Sequence, residues 1–80
     1  MNSELIAAYA LDLIVLLKEK AISAKKEAVT TKGTADSAFL LGKQMAYYEV
    51  ISLIQDQANA FGISLKELGL SDINPEQDLL

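Results

Sequence analysis

The sequence predicts an all-α fold: an antiparallel hairpin of two long helices, a short C-terminal helix, and dimerisation of two hairpins into a four-helix bundle. Three observations carry this. Apolar side chains recur at steps of three and four along two long stretches, the spacing of one helical face. Thr30, Thr31 and Gly33 interrupt the pattern between them, a combination that disfavours helix continuation. The first stretch also carries more apolar surface than one facing helix can cover.

The first helix is expected over Glu4–Val29, with Ser3 as N-cap and Glu4 where the helix dipole favours negative charge. Its main stripe is Ile6, Ala10, Leu13, Leu17, Ala21, Ala24 and Ala28. From Leu5 to Leu17 the only charge is Asp12, with Leu11, Ile14 and Val15 lying off the stripe. A helix that is apolar all round is expected to be buried all round. From Lys18 onward the pattern is amphipathic, with small residues inward and lysines outward.

The second helix is expected over residues 36–60, capped by Thr34 or Asp36. Its core face reads Leu40, Tyr47, Ile51, Ile54, Ala58 and Phe61, and its wet face Glu49, Ser52, Asp56 and Asn59. Gly42 within it costs about 1 kcal/mol relative to alanine. Gly62 is a left-handed stop. Ser64 and Glu67 have capping-box spacing for a short helix over Leu65–Leu68, closed by Gly69. In the tail, 71–80, Asn74 and Pro75 suit the cap and first position of one further turn. The whole chain, 1–80, reads as one domain.

Each long helix would span roughly 38 Å at 1.5 Å per residue. A short loop makes them antiparallel and sets Leu5 near Ala60 and Leu17 near Tyr48. The most apolar halves of the two helices then meet at the end away from the loop. A second copy is the simplest cover for what is left. The expected subunit interface is Leu11, Ile14, Val15, Leu41 and Tyr48, with Tyr47 turned to the core. Asp12 is a candidate registry-setting group at such a seam.

Composition narrows function. The chain has 80 residues, seven lysines, no arginine, 11 acidic residues and a net charge of −4. It lacks cysteine and histidine, which argues against a structural zinc site and against the usual nucleophilic triads. Bundle di-iron sites need Glu-x-x-His pairs. No phosphate-cradling glycine motif occurs. No catalytic residue, metal or cofactor is therefore expected, and Glu49, Ser52 and Asp56 read as a solvated stripe. The Leu5–Leu17 run is shorter than the roughly 20 residues that span a bilayer, and no cation precedes it as in a secretory signal. The expectation is a cytoplasmic protein, not an enzyme, with no membrane partner.

Charge is unevenly placed. Lys18, Lys20, Lys25, Lys26 and Lys32 gather in the first half, while Asp56, Glu67, Asp72, Glu76 and Asp78 lie toward the end. A lysine face can touch phosphates, but the absence of arginine and of interleaved aromatics argues against nucleic acid. Attraction between the lysines and the acidic tail explains the same pattern. The segment from Ala58 through Gly62 to Leu68 resembles the turn of helix-turn-helix proteins over 11 residues. A recognition helix there would stop at Gly69 with Lys66 as its one cation, and a glycine stop plus a capping box accounts for the same letters. The leading expectation is a homodimeric interaction module that binds another protein, whose identity is open. Lys18, Lys25, Lys26, Asp72, Glu76 and Asp78 form its possible partner surface. A nucleic-acid-associated regulator and an acidic, antitoxin-like inhibitor are the alternatives.

Overall fold

The computed structural model describes residues 2–80. Two long helices, α1 (Ser3–Thr30) and α2 (Ser37–Phe61), pack against each other as a hairpin, and a short helix α3 (Pro75–Asp78) lies near the C-terminus. No strand occurs among the described residues.

α1 is capped by Asn2, one residue before the expected Ser3. The Asn2 side-chain oxygen accepts from the backbone N–H groups of Glu4 and Leu5 at 2.9 and 3.1 Å. Asparagine and serine cap comparably well, so the helix starts where the first of the two can act. At the other end, Thr30 and Thr31 donate their hydroxyls back to carbonyls of the last turn, which competes with continuation of the helix. Gly33 then takes φ +88°, a left-handed conformation open to glycine. Asp36 stands at the α2 N-cap, but its side chain makes no capping bond.

α2 ends as expected. Gly62 has φ +72°. The Ile63 N–H donates to Ala58 O at 2.8 Å and the Gly62 N–H to Asn59 O at 3.2 Å, the paired closure of a Schellman motif. The expected helix at Leu65–Leu68 does not form. Ser64 Oγ accepts from the Glu67 N–H at 3.2 Å, half of a capping box, and the chain runs on as turns. Gly69, at φ +70°, closes a second Schellman pair seven residues after the first: Leu70 N–H to Leu65 O at 2.9 Å and Gly69 N–H to Lys66 O at 3.1 Å. Two glycine stops this close leave no room for an i to i−4 ladder. The helix-turn-helix resemblance thus lacks its second helix. α3 forms at the expected Asn74–Pro75 cap, with Asn74 Oδ1 accepting from the Gln77 N–H.

Residues 62–80 form a strap that returns along the hairpin toward the loop. Its side chains complete the core. The buried cluster is Ala21, Ile51, Leu70, Ile73 and Leu79, so three of its five members come from the strap. Ile14, Leu17, Tyr47, Tyr48, Ile54, Leu65 and Leu68 pack around them. Ala21 and Ala24 keep the α1 side of the cluster small.

Two expectations of burial fail. Phe61 is 72% exposed: three residues past Ala58 it turns to the edge of the stripe, and the helix ends there. Asn2 through Leu13 are all exposed, including Ile6, Ala10 and Leu13 of the expected core stripe. Glu27 pairs with Lys43, and Ile14 shares a hollow with Ala58 and Phe61. In that register Phe61 lies level with about Tyr9, and the first turns of α1 run past the end of α2.

Burying a leucine contributes about 1.5–3 kcal/mol. Leu70→Ala or Leu79→Ala is expected to cost about 2–5 kcal/mol in urea unfolding. Glu49→Ala, on the outer face of α2, should shift stability by no more than about 0.5 kcal/mol.

Candidate interaction surface

The strap brings irregular backbone against two helices, and its carbonyls need donors. Two glutamines of α2 supply them. Gln44, which is buried, donates from Nε2 to Leu79 O at 2.8 Å. Gln55 donates from Nε2 to Ile73 O at 3.1 Å and to Leu70 O at 3.4 Å. These residues stand three helical turns apart, with Tyr48 and Ile51 between them on the same face. Sequence reading had no role for either glutamine. The available signal was their place on a stripe whose other members are apolar.

α1 anchors the strap with charge. Lys18 Nζ lies 2.6 Å from Asp72 Oδ1 and donates to Gly69 O at 3.0 Å. Lys25 donates to Leu80 O. The hydrogen bond and the charge of Lys18 hold the Asp72 carboxyl below its ordinary range. Asp78 accepts from the Asn74 N–H at 2.7 Å. Of the residues expected to form a partner surface, Lys18, Lys25 and Asp72 thus hold the strap, Asp78 shapes it, and Lys26 and Glu76 are exposed.

The residues expected at the subunit interface divide. Ile14 and Tyr48 are half-buried against the monomer's own core. Leu11 and Val15 are exposed on one flank of α1. Leu41 is exposed near the loop, beside Val29 and Leu80. Asp12 is exposed.

Besides this hollow near the loop, two further surfaces are open among the described residues. One is a groove between α1 and α2, lined by Leu16, Glu19, Lys20, Ser23, Glu27, Lys43 and Tyr47. Lys43 Nζ sits 3.5 Å from Glu27 Oε2 within it. The other is the end of the hairpin away from the loop. There Ile14, Ile54, Gln57, Ala58, Phe61, Ile63 and Leu68 line an apolar hollow. Beside it Leu5 and Tyr9 are 68% and 69% exposed. Among the described residues no group of three or more carboxylates converges as a metal site would require. No helix there is long and apolar enough to cross a membrane.

Gln44→Met keeps the side chain's volume and removes the donor. It is expected to cost about 1–3 kcal/mol, the penalty for a buried carbonyl left unsatisfied, read from thermal or urea unfolding. The Asp72 contribution has a definite sign in pH. A lowered carboxyl pKa stabilises above the ordinary carboxyl range and loses that contribution as pH falls through the folded-state value. Asp72→Asn should therefore melt lower than the unsubstituted protein at pH 6, and the two should converge as acid takes the Asp72 carboxyl through its lowered folded-state value. A gap that persisted in acid would remove the Lys18 pairing as its cause.

Comparison with protein-family models, with curated proteins and with solved structures finds no match for this chain.

Proposed function

We propose that this chain is a non-enzymatic protein-interaction module that works as a homodimeric helical bundle and binds another protein. The observation that carries the reading is surplus surface. The chain exposes 5673 Å², whereas a compact monomer of 8.7 kDa exposes about 4700 Å². The difference of just under about 1000 Å² is of the order of the ~800 Å² per partner of a standard interface. The shape agrees. The molecule measures 47 × 22 × 16 Å, with a radius of gyration of 14.3 Å against about 12 Å for a compact chain of this length. It is a single helical layer with a strap on it, and stable domains have two packed layers.

The exposed side chains support the same reading. Leu5, Ile6, Tyr9, Leu13, Leu16, Leu53 and Phe61 are each at least 40% exposed, and tyrosine, phenylalanine and leucine suit an interface better than open water. The lysines favour a structural role over phosphate binding, because Lys18 and Lys25 are held by the strap.

Light scattering on a sizing column should return twice the 8.7 kDa of one chain, and the melting temperature should rise with protein concentration. A mass of one chain at every concentration overturns the homodimer.

A further inference from the structure

The strap lies on one face of the hairpin, held by Lys18 and Lys25 of α1 and by Gln44 and Gln55 of α2. The groove lined by Leu16, Lys20, Ser23, Glu27, Lys43 and Tyr47 opens on the opposite face. The helical repeat carries it on toward the far end. Tyr9 stands eighteen residues before Glu27, and Phe61 eighteen after Lys43, about five full turns in each case. Tyr9 therefore shares the Glu27 side of α1, and Phe61 the Lys43 side of α2. Glu27 is level with Lys43, and Tyr9 with Phe61, so the groove runs about 27 Å from a charged end to an aromatic end. Leu13 and Leu16 stand between those ends on the α1 wall, and Tyr9, Leu13, Leu16 and Phe61 are all exposed.

We propose that a second copy of the chain covers this groove face to face, with the two loops at the same end and α1 of each copy lying over α2 of the other. The inference rests on the homodimeric reading above and gives it an orientation. The charged end selects the occupant. Lys43 Nζ and Glu27 Oε2 are 3.5 Å apart, and their side chains are 39% and 46% exposed. A full charge-assisted bond is shorter, about 2.7–2.9 Å, so each group has room for a second partner. An occupant that satisfies both must set a carboxylate over Lys43 and a cation over Glu27, at one level and one interhelical spacing apart. A copy turned by a half-turn about the long axis of the hairpin presents that pair in that order. Glu27 of each copy then meets Lys43 of the other, reciprocally, and four charges of alternating sign close a ring.

The same rotation matches the other levels. Ser23 meets Tyr47, hydroxyl to hydroxyl, and Tyr9 meets Phe61, ring to ring. Leu16 and Lys20 lie over the turn from Val50 to Ile54, with the Lys20 ammonium carried to the rim on its four-carbon stem. With the loops opposed, the Glu27–Lys43 pair of each copy would land on Tyr9 and Phe61 of the other, and its charges would lose water without gaining a partner. The loop lysines do not oppose the arrangement. Lys25 and Lys32 line the hollow beside Gln44 and Leu80, on the strap side, away from the second copy. The product is two packed helical layers with a strap on each outer face.

The distance between the two loops tests the orientation. The chain has no cysteine, and Ala35 is exposed in the loop, so Ala35→Cys carries a single spin label per copy. Loops at the same end put the labels about 20 Å apart, two interhelical spacings. Opposed loops put them about 40 Å apart, from ~13 helical residues on each side of the groove's midpoint at 1.5 Å each. A distance of about 40 Å or more in a dimeric sample overturns the orientation and leaves the homodimer standing. A one-chain mass overturns both. Charge reversal tests the pairing itself. Glu27→Lys and Lys43→Glu each place four like charges in the ring, and both side chains are half-exposed in the single chain, so helical circular dichroism should stay intact. Each variant alone is expected to dimerise roughly a hundredfold more weakly, because like charges then meet across the interface. Mixed in equal amounts, the two variants set opposite charges across both contacts, and their heterodimer should form within about tenfold of the unsubstituted affinity. Unchanged dimers of either variant, or a mixture that yields no heterodimer, overturns the face-to-face pairing.

Discussion

Everything in this small fold depends on Leu70, Ile73 and Leu79 packing against Ile51 and Ala21. Two helices alone meet along a line and cannot enclose a side chain from all directions. Ile51, at 0% exposure, is enclosed because the strap closes the third side. The polar groups follow from that demand. A segment without regular structure brings unpaired carbonyls into contact with helices, and Gln44, Gln55, Lys18 and Lys25 each donate to one or more of them. Remove the strap and these four side chains lose their partners as well as the core losing its lid.

The strap also makes the hairpin two-sided. One side is closed by leucines and glutamine donors, and the other carries the groove with the Lys43–Glu27 pair. The two Schellman closures at Gly62 and Gly69 turn the chain back so soon after Phe61 that the strap reaches Ile14 and Lys18 but leaves the beginning of α1 alone. The projecting apolar turns are thus a consequence of where the chain reverses. The same reversal produces the hollow, because Ile63 and Leu68 leave a space beside Phe61 instead of a sealed end.

Much of this architecture was legible in the residues. The three-and-four spacing marked both helices to within a residue or two, Gly62 marked the end of α2, and Asn74–Pro75 marked α3. What was hidden has physical reasons. Leu70, Ile73 and Leu79 have no period, so nothing local distinguishes them from tail residues in water. Gln44 and Gln55 look like surface residues until a strap arrives to be bonded. Ser64 and Glu67 satisfy a helix rule that two nearby glycines override. The lysine and acidic clusters were legible as an attraction, and Lys18–Asp72 is that attraction within one chain. Of the residues expected at a subunit interface, Leu11 and Val15 are exposed on α1, while Ile14 and Tyr48 are engaged within the chain's own core, against a strap whose reach the sequence pattern does not reveal.

The exposed start of α1 is the point where pattern and fold disagree most, and the disagreement is informative. Asn2 to Leu13 are all exposed, and the turns before Tyr9 run past the end of α2. Short helices are marginal in water, and helices in proteins owe most of their stability to tertiary packing. Asn2 as a cap and the run of alanine and leucine favour helix locally, by tenths of a kcal/mol per residue or about one for the cap. Such terms can hold a helix end together without giving it a reason to carry so many leucines and isoleucines. Surface turns of a free monomer would be served as well by glutamate and lysine, which are good helix formers and stay wet. In the homodimer proposed above, a second copy that covered leucine, isoleucine and tyrosine at those positions would also stabilise the turns that bind it.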